Sequence, residues 1–330
     1  MLSRVAESLY WMARYIERAE AVSRLAAVNY QAALDGGGRG GWDGVVRITG
    51  DFELYRSLFR ESGEQAALEF LLSHAANPNS VLGCLVRARE NARGVRDQVS
   101  SEMWEHLNRL YLLARDARST ATAEGPYRFF CQVRDGSQAF EGLAAATMTH
   151  GEAYHFIQLG RYLERAATTV RTLAVRYQEV SALDDNTAAA SLELMALLRS
   201  CGAFEPFRRH HGSQLQAGAV AEYLLLSPSF PRAVLFCLDQ GSANIAVVAP
   251  KTADKRDGPS RLLGRLRSEL AYLDVDEVLG DGFPPFLGAL LAKIHLVGDE
   301  VTRTYFNTRV ILPVGKSGTG AAQQQQQQQQ

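Results

Sequence analysis

Residues 14–28, RYIERAEAVSRLAAV, and residues 161–175, RYLERAATTVRTLAV, align without a gap and are identical at eight of fifteen positions. Background composition gives about one or two identities over that length. A second pair of blocks repeats at nearly the same spacing. Pro78, Val81, Leu82, Cys84, Leu85 and Asn91 match Pro231, Val234, Leu235, Cys237, Leu238 and Asn244. The offsets, 147 and 153, differ by six residues, so the sequence predicts two homologous helical-bundle halves from internal duplication, 1–149 and 150–312. The fold class expected is all-α.

The periodicity around these blocks is helical. Leu2, Val5, Leu9, Met12, Ile16, Ala19, Ser23 and Ala26 recur in steps of three and four, the apolar seam of a helix over about 2–33. Similar patterns predict helices near 64–74, 78–98, 101–118, 126–148, 150–180, 187–200, 213–226, 231–248, 258–275 and 284–311. Pro78 and Pro126 suit first turns, and Ser100 or Ser101 suits a cap followed by Glu102. Residues 233–249 are strand-like in composition, but their match to the helix after Pro78 argues for helix. Asp35–Gly44, DGGGRGGWDG, reads as a glycine-rich surface loop and 250–258 as a polar connector. Residues 313–330 lose all periodicity and end in eight glutamines, which predicts a flexible tail.

The chain has 330 residues, with 36 acidic and 35 basic side chains and a net charge of -1. That balance supplies no overall field for nucleic acid or an anionic membrane. No apolar run approaches the ~20 residues of a membrane span, and the charged N-terminal segment does not read as a secretory signal, so a cytoplasmic location is expected. Cys84, Cys131, Cys201 and Cys237 are too far apart for a zinc pattern and read as reduced, mostly buried thiols. Glu152 with His155 makes one Glu-x-x-His, and Glu102 with His106 has i,i+4 spacing. A second Glu-x-x-His is missing, so neither a metal nor another cofactor is expected. No nucleophile elbow or phosphate loop occurs, and His210 and His211 after Arg208 and Arg209 read as an exposed basic turn.

The charges retained between the repeats define the candidate site. Arg14, Glu17 and Arg24 share a helix face, as do Arg161, Glu164 and Arg171, with Arg18 and Arg165 one step round. A solvated ion-pair face would stabilise the helix by a few tenths of a kcal/mol per pair. Duplicated halves drift at solvated positions, so retained charges point instead to pairing between helices. A third set, Arg87, Arg89, Glu90, Asn91, Arg93, Arg96 and Asp97, predicts a helix beside the first, with Glu17 held by Arg89 or Arg93. The second half lacks these arginines, which makes the first half the expected seat of any specific activity.

MLSRVAESLYWMARYIERAE (1–20), PNSVLGCLVRARENARGVRD (78–97) with SSEMWEHLNRLY (100–111), and FIQLGRYLERA (156–166) with SPSFPRAV (227–234) resemble the alpha-E domain family of bacterial proteins. The resemblance runs to about residue 311 and leaves out the polyglutamine tail. It implies an all-helical fold and a Glu-Arg motif, which falls on Glu17 and Arg18 and again on Glu164 and Arg165. It also implies circularly permuted ATP-grasp ligases and transglutaminase-like proteins as partners, and a peptide as substrate. Two functions follow as expectations. One is a non-catalytic helical partner that presents or positions a peptide for an amide-bond-forming ligase. The other is an enzyme that uses Glu17 and Glu164 as acid and base and the arginines as clamps for amide transfer or hydrolysis. A glutamate flanked by arginines is a poor base near pH 7, which weighs against the second.

Overall fold

The computed structural model describes residues 1–34, 41–117, 125–181, 183, 187–212, 214–249, 258–279 and 282–306. Among these residues the chain is all-helical, with fourteen α-helices and no strand. The helix predicted over 2–33 is α1, Ser3–Leu34, and the one predicted over 150–180 is α8, Glu152–Ser181. These two lie side by side and run in the same direction. Near one end Tyr10 meets Gly160, midway Glu17 meets Arg165, and further on Asn29 meets Arg176, always at an offset close to 150 residues. Gly160 sets how close they come. A Cβ there would collide with the backbone carbonyl oxygen of Tyr10, so a side chain at 160 would force the helices apart.

Around this pair the remaining helices fall into two sets. α2 (Gly41–Thr49), α3 (Phe52–Leu58) and α4 (Glu64–Ser73) lead to α5 (Val81–Arg93), α6 (Ser101–Asp116) and α7 (Pro126–Thr147). α9 (Ala188–Ser200), α10 (Phe204–His211) and α11 (Ala217–Leu226) lead to α12 (Val234–Val248), α13 (Pro259–Ala271) and α14 (Phe283–Val301), followed by one π-helical turn at Thr302–Phe306. α5 and α7 flank α1, while α12 and α14 flank α8. α2 crosses onto α8 and α9 onto α1. One continuous cluster of buried apolar side chains runs through both sets, from Leu9 and Met12 to Val297 and Val301.

Local signals explain most helix ends. Ser100 accepts a hydrogen bond from the Met103 amide at 3.2 Å and caps α6, and Pro126 opens α7. The strand-like composition of 233–249 is overridden, since Val234, Cys237, Leu238, Gly241, Asn244, Ile245 and Val248 make one buried helical face. Several expectations need correction. Pro78 precedes its helix, because Ser80 is the cap and α5 begins at Val81. α5 also stops at Arg93, with Gly94 as its cap, so Arg96 and Asp97 lie beyond it. The glycine-rich reading fails at Gly41–Gly44, which opens α2 and buries Trp42 and Gly44 against the body of the protein. His210 and His211 end a helix, with His211 stacked on Phe207 at 4.4 Å between ring centroids. Residues 35–40, the connector at 250–257 and the tail from 307 lie outside the described residues.

Candidate functional site

The two copies of the Glu-Arg motif face each other across the α1–α8 seam. Arg165 on α8 donates from Nε and Nη2 to the two oxygens of Glu17 on α1, at 2.7 and 2.9 Å. Arg18 on α1 donates from Nε and Nη2 to the two oxygens of Glu164 on α8, at 2.8 and 3.0 Å. Each motif therefore supplies the carboxylate for the other's guanidinium, and both pairs have the planar two-bond geometry that arginine favours with carboxylates. Glu17 is 5% exposed and Glu164 fully buried.

Further arginines complete each centre. Glu164 also receives Arg14, whose Nε lies 2.9 Å from Oε2, and has Arg171 at 3.6 Å. Arg18 continues to Asn79 Oδ1 at 2.6 Å, and Asn79 in turn donates to both oxygens of Asp51. Glu17 also receives Arg232, from the turn before α12, at 3.0 Å. Arg232 and Arg24 both bind Glu20, and Arg161 and Arg165 both bind Glu141 on α7. Glu17 thus shares its arginines with two further bonded carboxylates, Glu20 and Glu141, whereas beside Glu164 Asp51 is bonded to Asn79 and acts on Arg171 without bonding it.

Electrostatics follow from this geometry. Burial pushes the Glu17 carboxyl up, but Arg165 and Arg232 outweigh it and hold the group well below the ordinary carboxylate range. Burial acts likewise on Glu164, and Arg18 and Arg14 pull it down further still. Both carboxylates are ionised at neutral pH and reluctant to take a proton. Each centre holds one arginine that bears the cost of crowding. Burial, with Arg18 and Arg14 close by, moves the Arg171 pKa down despite Glu164, and burial with Arg165 close by does the same to Arg161 despite Glu17; the buried Nε of each has no hydrogen-bond partner. Burial also raises the thiols of Cys84, Cys201 and Cys237 to about 12, which leaves them protonated and unreactive.

The structure brings Arg14, Glu17, Arg18, Arg24, Arg161, Glu164, Arg165 and Arg171 into this seam. It does not bring Arg89, Glu90, Asn91 or Arg93. The expected hold of Arg89 or Arg93 on Glu17 is replaced by Arg165 and Arg232. The reason lies in α5, which turns Val81, Cys84, Leu85, Ala88 and Ala92 inward, so that 89, 90 and 93 point elsewhere. Arg89 binds Asn108 and Glu90, Arg93 binds Glu90 at 3.4 Å, and Asn91 donates to the Arg87 carbonyl. The charged set of α5 is surface chemistry, and the ionic centre draws equally on α1 and α8.

Arg232, Glu20, Glu141, Asn79 and Asp51 complete the centre without having been singled out. One signal was available: Asn79 and Arg232 sit at matching places in the second pair of aligned blocks, 153 residues apart. Beside the Glu17 centre lies a crevice of about 20 Å3, enough for one water, reached by Glu20, Ser137, Glu141 and Arg161. Glu20 Oε2, Ser137 Oγ and Arg161 Nε are buried there without hydrogen-bond partners. Of the residues considered for metal binding, His155 pairs with Asn244 at 2.7 Å and His106 with the Gly136 carbonyl at 2.7 Å. No group of three His, Cys, Asp or Glu that could hold a metal occurs among the described residues. No helix among them is long and apolar enough to cross a membrane.

Comparison with known proteins places this arrangement. The family model Alpha-E, described as a predicted alpha-helical domain with a conserved ER motif, matches residues 1–306. Uncharacterized proteins of Mycobacterium bovis and of two Mycobacterium tuberculosis strains are 24% identical over 347 aligned positions, which cover 94% of this chain and 37% of theirs. The chain thus spans little more than a third of the length of these relatives. No solved structure matches it.

Proposed function

From the premise that this chain belongs to the Alpha-E family, we propose that it is a non-catalytic helical partner of a circularly permuted ATP-grasp amide-bond-forming ligase, and that it positions a peptide substrate for that enzyme. The observation that carries the non-catalytic part is the clamping of both motif glutamates. Glu17 and Glu164 are buried, each is held through both oxygens by an arginine from the opposite helix, and both pKa values are depressed. A general base must be free to accept a proton near the working pH, and these two are not. Their role in this reading is to lock α1 to α8. The thiols raised to about 12 offer no nucleophile in their place.

The partner part rests on the family resemblance and gains support from the longer relatives, in which the matched region is joined to further chain. The two helical sets, in this reading, descend from one duplicated unit: α5 begins at 81 and α12 at 234, α4 spans 64–73 and α11 spans 217–226, all at the offset of 153 seen in the aligned blocks. A transglutaminase-like protein is a second candidate partner, and the expected setting is the cytoplasm. The test is co-purification of this chain with the circularly permuted ATP-grasp protein, followed by ATP hydrolysis with and without the chain. The expected result is a stable complex and peptide-dependent hydrolysis stimulated by the chain. Failure to associate, or turnover by this chain alone, would refute the reading.

A further inference from the structure

The last turns of α1, the start of α7, and α9 with α10 frame an open groove of about 460 Å3, within the size range of small-ligand sites. Its floor is apolar: Ala27, Val28 and Ala32 from α1 face Met195 and Ala196 from α9. Its rim is basic. Arg24, Arg134 and Arg199 line it against one acid, the exposed Glu205. The three arginines are held to different degrees. Arg24 is anchored on Glu20, and Gly202 makes room for it, since a Cβ there would lie 3.1 Å from Arg24 Nη1. Arg134 donates to its exposed neighbour Asp135 at 2.8 Å. Arg199 meets no carboxylate among the described residues and rests over the Phe204 ring, 5.1 Å from its centroid. Two of the protein's exposed large apolar residues, Tyr127 and Leu192, stand on the same rim, 42% and 48% exposed.

We propose that this groove binds the carboxylate end of a short peptide bearing an apolar side chain, with Arg199 and Arg134 taking the carboxylate and the α1–α9 floor taking the side chain. The inference rests on the peptide-positioning reading above and assigns its substrate site. The Arg199 guanidinium, stacked on Phe204, suits an incoming carboxylate, and Arg134, bonded to Asp135 through Nε, turns its remaining N–H donors to the same ligand. An acyl chain would want an apolar channel throughout, whereas this groove sets an apolar floor beside arginines, Gln31 and Glu205, which gives a peptide's side chain and its polar end separate places. Arg24 on the groove's rim connects through Glu20 and Arg232 to Glu17, so three ion pairs in series join the groove to the α1–α8 lock.

The test is calorimetric titration of the whole chain with N-acetyl-Ala-Leu carrying a free C-terminus, against the uncharged N-acetyl-Ala-Leu-amide. Saturable binding of the acid is expected, with the amide weaker by at least about tenfold. Arg199→Gln, at an exposed position, should weaken the acid by about tenfold and leave the thermal midpoint unchanged. Equal binding of the two peptides, no saturation, or an unaffected Arg199→Gln protein would overturn the assignment. So would complete displacement of the peptide by inorganic phosphate at matched ionic strength, which would mark a simple anion site. A chain that binds peptide but not the ligase keeps this inference and loses the partnership, and the converse result does the opposite.

Discussion

The centres around Glu17 and Glu164 use the same motif yet differ in how their charges balance. Around Glu17, Arg161, Arg165, Arg232 and Arg24 share three carboxylates, Glu17, Glu20 and Glu141. Around Glu164, Arg14, Arg18 and Arg171 converge on one buried carboxylate, with Asp51 bonded to Asn79 and acting on Arg171 without bonding any of the three. The difference traces to single residues. Arg24 has Glu20 one turn before it, whereas Arg171 has Ala167 at that place, and its nearest carboxylate is Glu164 at 3.6 Å. The Glu17 centre draws on Arg232, before α12, whereas the Glu164 centre draws on Asn79, at the aligned place before α5. Loss of Glu17 leaves Arg165 and Arg232 bonded to Glu141 and Glu20, whereas loss of Glu164 leaves Arg14, Arg18 and Arg171 with no bonded carboxylate among the described residues.

The largest expected effect is therefore at Glu164. Glu164→Gln leaves three guanidiniums facing a neutral group in a poorly hydrated seam and should cost about 3–5 kcal/mol of unfolding free energy by denaturant titration. Glu17→Gln should cost less, because Arg165 keeps Glu141 and Arg232 keeps Glu20. Equal losses would dissolve the contrast between the centres.

Gly160→Ala comes next, because its Cβ meets the Tyr10 backbone and the helices must part. A loss of about 1–3 kcal/mol is expected, read as a lowered thermal midpoint. A neutral result would show that the seam is looser than the geometry describes.

Acid sharpens the comparison from another side. Both carboxylates have folded pKa values below their unfolded value of about 4.3, so the stability they contribute is fully present above that value. It is lost as pH falls below about 4 toward the folded pKa values. Glu164→Gln should flatten the acid limb of the stability profile more than Glu17→Gln does.

The smallest effect is expected on α5. Glu90 is half-exposed and its bonds to Arg89 and Arg93 are 3.2 and 3.4 Å long, so Glu90→Gln should change stability by under about 1 kcal/mol. A larger loss would return α5 to the ionic centre.

Much of this fold was legible in the sequence because long helices advertise themselves by period. The seams of α1 and α8 and the Ser100 cap follow from spacing, and the helical character of 234–248 follows from its match to the block after Pro78. The short helices α2, α3 and α10 were not legible, since seven to nine residues after glycines carry too little periodicity and draw their stability from burial of Trp42, Tyr55 and Phe207. The site was half legible. The repeated R-x-x-E-R spacing picks out the charged faces of both helices, but on one helix it reads as a local i,i+4 pattern. That Glu17 takes Arg165 rather than Arg89 depends on two long helices lying parallel in register, which no local pattern states. Arg232 and Asn79 were visible only as matched positions in the repeat, where one is charged and the other is not.

A double-mutant cycle on Arg18 and Glu164, combining Arg18→Gln and Glu164→Gln with each alone, measures the reciprocal lock directly. If the motif holds α1 to α8, the two single losses should be strongly non-additive, with a coupling energy of about 2 kcal/mol or more. A coupling near zero, with the singles simply adding, would contradict the claim that the Glu-Arg motif is the lock between the two helices.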